Sequence, residues 1–529
     1  MQFDLFLFSA LSMPFLIILV TMIGLKWNAL KAGWVAFLIT LAGAPVVLGV
    51  NLHQLTTDIV PGSVLEAANT SLSILWIIFG ALCIYYLQLN SGAIASIQQQ
   101  LARLHPNPKI SALFVAWFFS MFMEGAAGFG TSAALTAPFL VAAGYRPVLA
   151  VVLALWGHSL GVTFGAVGTP VITQALLVAE SELALARAAL PYMFPTTLVL
   201  AIGLAWGCIR YAPASAESVS SIGDKPQKFS LAAIKFGVLA ALSFLFPATL
   251  LAYFLGPELP TLLGAIVGAA LFTLFTRFEK PSLGQLNEVA STKLPSTSFI
   301  RAMAPYLILV ILVLITRLIP DIKAGLQAVV WHWEWRNYHG TVQYLYHPGS
   351  LLFVSFVFGG LCQRHSISTK NGTLVRALGR AFAQALSRVL TVLSALFVML
   401  LLSRVLVHTG AITQLGQTVA AFAGAWWPFW VPWFGILGTF ITGSATSSNI
   451  LFSEFQRSAA LASGNSVIPL LGAQTFGAAA GNMVCPHNII AAGATVNLAG
   501  DEGQVMRFTL PMAALLATLA GTIAVLMNI

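Results

Sequence analysis

Glu124 closes a long apolar run, SALFVAWFFSMFM, and opens a string of small residues, GAAGFGTSAALTAP. An ionisable side chain at that depth in a membrane segment is expensive, and such residues mark ion or substrate pathways. Each glycine beside it weakens a helix interior. A carboxylate next to a breakable backbone is the chemistry of a transport site. Glu124 could bind and release a coupling proton, because burial disfavours its charged form. It could also stay ionised against a cation, or cap a turn through backbone N–H groups. A second small-residue string, TGSATSSN at 442–449, adds Ser444, Thr446, Ser447, Ser448 and Asn449. Thr131 and Ser132 add hydroxyls at the first string. Half-helix N-termini near Gly128–Ser132, Thr169, Ser447–Asn449 and Pro486–Asn488 would offer N–H groups and partial positive charge to an anion. The competing structural reading is that such Ser and Thr residues only cap the backbone.

His158 lies in the apolar run LAVVLALWGHSLGVTFGAVGTP and could be a second proton site, since histidine titrates near physiological pH. Its bland alternative is a hydrogen-bonded core histidine. His487 follows Cys485 and Pro486, but no further ligands stand nearby to make a metal site. Arg404 and His408 share one helix face. Arg404 could clamp a carboxylate, although snorkelling to the outer interface is the preferred expectation. The four cysteines show no metal or disulfide spacing. No cofactor is implied.

The elements that hold these residues follow from composition. Of 529 residues, 58% are hydrophobic and 8% charged, and the mean hydropathy is +0.89. A soluble domain carries about 25% charged residues. The chain is therefore read as an all-α polytopic membrane protein, with lipid as its main partner. The net charge of +9 sets orientation and does not point to nucleic acid. The N-terminus lacks a basic leader and a cleavage site, and is read as a span. About 12 spans are expected, near 3–24, 32–50, 71–89, 148–178, 190–211, 230–254, 259–276, 301–319, 349–363, 383–407, 466–498 and 508–528. Basic residues cluster after the odd spans, including Lys31, Lys109, Arg277 and Arg376. Those loops should be cytoplasmic. The alternation holds only if 110–143 and 426–461 each enter and leave on one side, as re-entrant hairpins.

Two mirrored halves result. Residues 1–211 hold the hairpin 110–143 and a helix, 148–178, broken at GAVGTP. Residues 301–529 hold the hairpin 426–461 and a helix, 466–498, broken at GNMVCP. Residues 212–300 supply cytoplasmic linkers and connecting helices. Interrupted helices in corresponding places are the sign of an inverted-repeat transporter. The aromatic stretch at 320–348 should form an external interfacial cap.

EGAAGFG at 124–130, FGAVGTPV at 164–171 and TGSATSSNILF at 442–452 resemble the lactate permease family. LSILWIIFGALCIYY and PYLILVILVLITR extend the likeness, so it covers nearly the whole chain in order. The resemblance implies carriage of L-lactate, and often D-lactate and glycolate, with proton symport, across the bacterial inner membrane. The chain departs from the implied pattern at three places. Ala445 stands at an acidic position, Asn482 at a lysine position and His158 at an asparagine position. One acid and one base are lost together, which keeps the formal charge of the site.

The leading expectation is a proton-coupled symporter of a small 2-hydroxy monocarboxylate. Gly128, Thr131, Ser132, Thr169, Ser444, Thr446, Ser447, Ser448, Asn449, Asn482, His487 and Asn488 are the candidate substrate contacts. Glu124 and His158 are the candidates for proton coupling. A sodium-coupled carrier and a channel are the alternatives. No enzymatic motif is present. Oligomeric state stays open between monomer and homodimer.

Overall fold

The computed structural model describes residues 5–528 apart from 26, 103–104, 106, 129, 212–230, 278–297, 365–366, 368–372 and 499–500. The linker at 212–228, most of 277–300 and much of 364–375 lie outside the described residues. So do Arg103 and Lys370, two further basic residues that follow odd spans. Elsewhere the chain is helical, with one small two-stranded sheet among the described residues.

Every expected span coincides with a helix, but lengths differ. Among the described residues, ten helices are long and apolar enough to cross a membrane. One of them, Lys109–Ala126, is the first arm of the expected hairpin. Three expected spans, Phe6–Met22, Pro260–Thr276 and Pro348–Cys362, are shorter. The third span is longer than the sequence indicated. Helical turns run without a break from Leu52 to Ser91, and the polar start of that stretch hides its continuity. Further helices at Ala93–Ala102 and Ala411–Ala423 had no strong apolar signal.

The expected hairpins are two helices each, joined by a tight turn. The first comprises Pro108–Ala126, with a π-helical stretch at Phe114–Phe119, and Thr131–Ala142. The second comprises Trp427–Thr442 and Ala445–Ser463. The two broken helices are also present. Pro147–Phe164 gives way to Gly165–Val178, and Val467–Met483 gives way to Pro486–Ala494.

These four elements form the centre. In their apolar windows 89% of Lys109–Ala126, 89% of Pro147–Val178 and 83% of Val467–Ala494 is buried, against 33% for Glu502–Asn528. The outer helices are the ones left for lipid. Small residues allow the central backbones to touch, as in other membrane helix pairs. Gly157 of the first broken helix lies on the Ala116 carbonyl of the first hairpin. Gly477 of the second lies on the Pro432 carbonyl of the second hairpin. The same packing device therefore recurs in both halves.

Hydrogen bonds sort the loops to two ends. At one end His105 meets the Thr276 carbonyl at 3.2 Å, Tyr145 donates to the Cys208 carbonyl at 2.8 Å, and Gln363 donates to Gln88 at 2.6 Å. At the other, Arg317 pairs with Glu258, Arg336 with Asp58 at 3.1 Å, and His408 with Glu66 at 2.8 Å. Both ends of the first hairpin lie at the first of these ends, by His105 and Tyr145. Both ends of the second lie with the C-terminal helix tip. Gly521 packs on the Phe429 carbonyl, and the Ser466 N–H donates to Asn528 at 3.0 Å.

The aromatic stretch contains a β-hairpin, Trp331–Trp335 with Tyr338–Val342, paired antiparallel with Trp335 opposite Tyr338. Tyr338 presses onto Gly62, where no Cβ would fit, and its ring meets His408 edge-on at 4.8 Å. Arg404 does not snorkel. Its side chain is 11% exposed, 3.7 Å from Glu66, and donates to the Leu177 carbonyl at 3.3 Å. The carbonyls at the end of the first broken helix give it a better partner than water, since cations favour helix C-termini.

Candidate functional site

Both tips and both breaks meet. Gly128 takes a left-handed conformation, φ 61°, at the first tip, and a Cβ there would lie 2.8 Å from that of Ala166 in the first break. Gly130, φ 77°, lies against Asn488 of the second broken helix. Gly443, φ 80°, turns the second tip, and its open side faces Cys485 and His487. Asn449, one turn into the second hairpin's return helix, donates to the Pro170 carbonyl at 3.1 Å. Each tip thus touches both broken helices.

The first break is strained. Ala166, Val167 and Gly168 have φ of 43°, 55° and 81°. Left-handed backbone costs roughly 1–2 kcal/mol per non-glycine residue, and for β-branched valine it is an outlier. Strain of this kind persists where packing over-determines it and clusters at functional sites. Thr169 steadies the break by donating its hydroxyl to the Ala166 carbonyl at 2.5 Å.

A cavity of about 30 Å³ sits where these parts converge. It is lined by Glu124 and Gly128, by Gly165, Ala166 and Pro170, by Gly443 to Thr446, and by Asn482, with Val162 beneath. Glu124 is 3% exposed. Its Oε2 accepts the Ser132 hydroxyl proton at 2.7 Å. Its Oε1 lies against Gly165, where a Cβ would come within 2.7 Å. Among the described residues its hydrogen-bond partner is a side-chain hydroxyl, not an N–H group of the turn. Ser444 caps the second return helix by accepting from the Ser447 N–H at 3.4 Å. The first turn of that helix, Ala445 and Thr446, lines the same cavity as Glu124. Asn482 accepts from Asn488 Nδ2 at 2.5 Å.

The sequence candidates other than His158 divide into three groups. Glu124, Gly128, Ser444, Thr446 and Asn482 line the cavity. Thr131, Ser132, Thr169, Ser447, Asn488 and His487 stand directly behind it. Thr131 donates to the Gly128 carbonyl at 2.7 Å, Asn488 holds Asn482, and His487 packs on Gly443. Ser448 and Asn449 are scaffold. Ser448 donates to the Gly435 carbonyl at 2.8 Å, and Asn449 also donates to Thr475 at 3.0 Å. His158 is fully buried and outside the cavity lining, with Nδ1 on the Ala154 carbonyl at 2.9 Å.

Sequence reasoning missed the network behind Asn449. Thr475 donates to Gln174 at 2.8 Å, and Gln174 donates to Ser453 and to the Leu471 carbonyl, each at 3.1 Å. This buried chain ties the first broken helix to the second hairpin and the second broken helix. The signal was present: Gln174 and Gln474 are amides in apolar helices, each needing a partner.

A protein-family profile described as L-lactate permease matches residues 7–347 and 336–529. An L-lactate permease of Bacillus subtilis (strain 168) is 28% identical, covering 90% of this chain and 89% of its own. An L-lactate permease of Escherichia coli (strain K12) is also 28% identical, over 86% and 84%. The glycolate permease GlcA of the same strain is 26% identical, over 86% and 84%. Among solved structures, the Alcanivorax borkumensis YdaH transporter matches with a TM-score of 0.50, at 16% identity, covering 90% of this chain and 88% of that one. That likeness concerns the fold alone. Apolar spanning helices, rather than a barrel, place a bacterial permease in the inner membrane as a multi-pass protein. Matched from end to end by that profile, the chain belongs to the L-lactate permease family.

Proposed function

We propose that the chain is a secondary carrier that moves lactate, glycolate or a similar small 2-hydroxy monocarboxylate inward together with a proton. One observation carries the reading. A single buried carboxylate, Glu124, shares a small cavity with the first turn of a half-helix and the Asn482 amide. The half-helix N–H groups suit a carboxylate, and the amide and hydroxyls suit a hydroxyl group. Glu124 facing a substrate anion across this space would repel it when ionised. A proton on Glu124 removes that repulsion, so proton and anion favour each other's binding. That is symport in thermodynamic form, with no chemical step.

The two hairpins enter and leave on opposite faces in this reading. The charge pattern and the sorting of loop contacts to two ends support it. The end with Tyr145 and Gln363 is cytoplasmic, and the end with the β-hairpin is external. The cavity has room for about two waters, at roughly 10–15 Å³ each. The substrate therefore needs the tips to part, and this conformation is a closed one.

Uptake in proteoliposomes tests the reading. An imposed proton gradient should drive accumulation of labelled lactate or glycolate, and a sodium gradient alone should not. Glu124→Gln keeps the side chain's shape and removes its proton exchange. It should abolish accumulation while the protein still folds and inserts. Accumulation by the variant with an unchanged pH profile would move coupling elsewhere. A sodium-driven signal would replace the proton with that ion.

A further inference from the structure

A second cavity, of about 390 Å³, lies at the β-hairpin end. Its walls include Ile172, Glu182, Pro257, Glu258, Arg317 and Lys323, and the end of the β-hairpin roofs it. Arg317 and Glu258 form an ion pair there, with side chains 6% and 2% exposed. The Arg317 guanidinium also stacks on Tyr346 at 3.6 Å. So buried a pair is held by geometry, and removing one partner strands the other.

The turn that carries Glu258 does more than close the cavity. Pro257, the preceding residue, lies against Gly168, where a Cβ would come 2.6 Å from the Pro257 carbonyl oxygen. Thr261 donates to the Gly161 carbonyl at 2.7 Å. Gly125, next to Glu124, packs on Thr261 and Leu262. One short segment, 256–262, thus touches the first break on one side and the first hairpin on the other. Ala166 and Pro170 face the small central cavity, while Ile172 and Pro257 face the large one. Along the first broken helix the strained break borders the small space, and this turn, packed on it, borders the large one.

We propose that the large cavity is the external approach to the substrate site, and that the Gly256–Glu258 turn, latched by Arg317, is the partition between them. The proposal rests on the carrier reading above. Its ligand class is the same small carboxylate, which the cavity is large enough to admit with its water. Arg317 is a positioning residue here. It holds the turn through Glu258 and does not contact bound substrate.

The test reads access rather than turnover. Thr446→Cys places a thiol on the central cavity, and a membrane-impermeant methanethiosulfonate is added outside right-side-out vesicles. The parent chain is the control; Cys83, Cys208 and Cys485 are buried, and Cys362 is at the opposite end. Glu258→Gln should speed labelling of Thr446→Cys about tenfold, within the range of ordinary two-state couplings. Arg317→Ala should speed labelling as Glu258→Gln does, and Arg317→Lys, which keeps the charge but not the stack on Tyr346, should speed it less. Thr341→Trp, at an exposed position on the cavity wall, should slow labelling and uptake together. Labelling indifferent to Thr341→Trp would make the large cavity a blind pocket and overturn the proposal, whether or not Glu258→Gln folds. Labelling that responds to these changes but is not slowed by lactate or glycolate would leave the route standing and remove the substrate reading.

Discussion

Restoring the acid and the base at 445 and 482 tests whether the site was rebuilt as a unit. Ala445 and Asn482 are 3% and 5% exposed and line the same cavity. Ala445→Asp alone buries an unpaired carboxylate, and Asn482→Lys alone an unpaired ammonium, each at about 3–5 kcal/mol by analogy with broken buried pairs. The lysine also removes the Asn482 acceptor from Asn488. Asn488 Nδ2 keeps the Asn482 backbone carbonyl at 3.2 Å, so that loss falls near the low end of about 1–3 kcal/mol. Side chains from the two walls of so small a space can meet. At about 4 Å and an effective dielectric near 20 their attraction is about 4 kcal/mol. The double variant should therefore lie about 4 kcal/mol above the sum of the single losses. Folded yield and unfolding in mixed micelles for the two singles and the double give the coupling, and initial uptake rates show whether the restored pair still admits substrate. Losses that add to within about 0.5 kcal/mol would refute the shared pocket.

Three further outcomes follow from the geometry. Cysteines at Arg146 and Gly464 should be labelled from opposite sides of the membrane, and labelling from one side would end the inverted-repeat topology. Gly168→Ala adds a Cβ at φ 81° against the Pro257 backbone, so it should cost about 2–4 kcal/mol and lower the thermal midpoint in detergent; an unchanged midpoint would mean the break is slack. Backbone hydrogen exchange should be faster across 124–132 than across 442–449, and the reverse order would assign the mobile tip to the other half.

Much of this fold was legible because lipid leaves few options. Apolar length marked the spans. Glycine and proline at 125–130, 165–170, 443 and 481–486 marked where helices stop. What escaped was whatever polar residues do over long sequence distance. Gln174 meets Thr475 across the chain, and Glu258 meets Arg317 across a linker. No periodicity announces such pairs. The β-hairpin was hidden because interfacial aromatics need no strand to explain them. Asn449 misled for a related reason. Beside Ser447 and Ser448 its amide suggested a ligand contact, yet its N–H groups go to the Pro170 carbonyl and Thr475, and only Oδ1 is left without a partner among the described residues.

The two tips are unequally tied, and this bears on how the site opens. The second return helix is pinned to its surroundings through Asn449 on Pro170, Ser448 on Gly435 and the Gln174 network beyond. The first tip is held, among the described residues, by bonds within its own hairpin and by one from outside it, the Gln98 amide donating to the Leu135 carbonyl at 3.3 Å. Ser132 donates to Glu124, Thr131 to the Gly128 carbonyl, and Ser120 and Thr136 meet at 2.9 Å. Moving the first tip as a unit breaks none of the bonds within the hairpin, whereas moving the second breaks buried bonds between elements, each costly to leave unmade. The carboxylate proposed to carry the proton sits on the tip that moves more cheaply. The segment 256–262 packs on that same hairpin at Gly125. Protonation at Glu124 and release of the Glu258 latch would then act on one body from its two sides, which is how a proton inside and a vestibule outside can be coupled without a long chain of intermediaries.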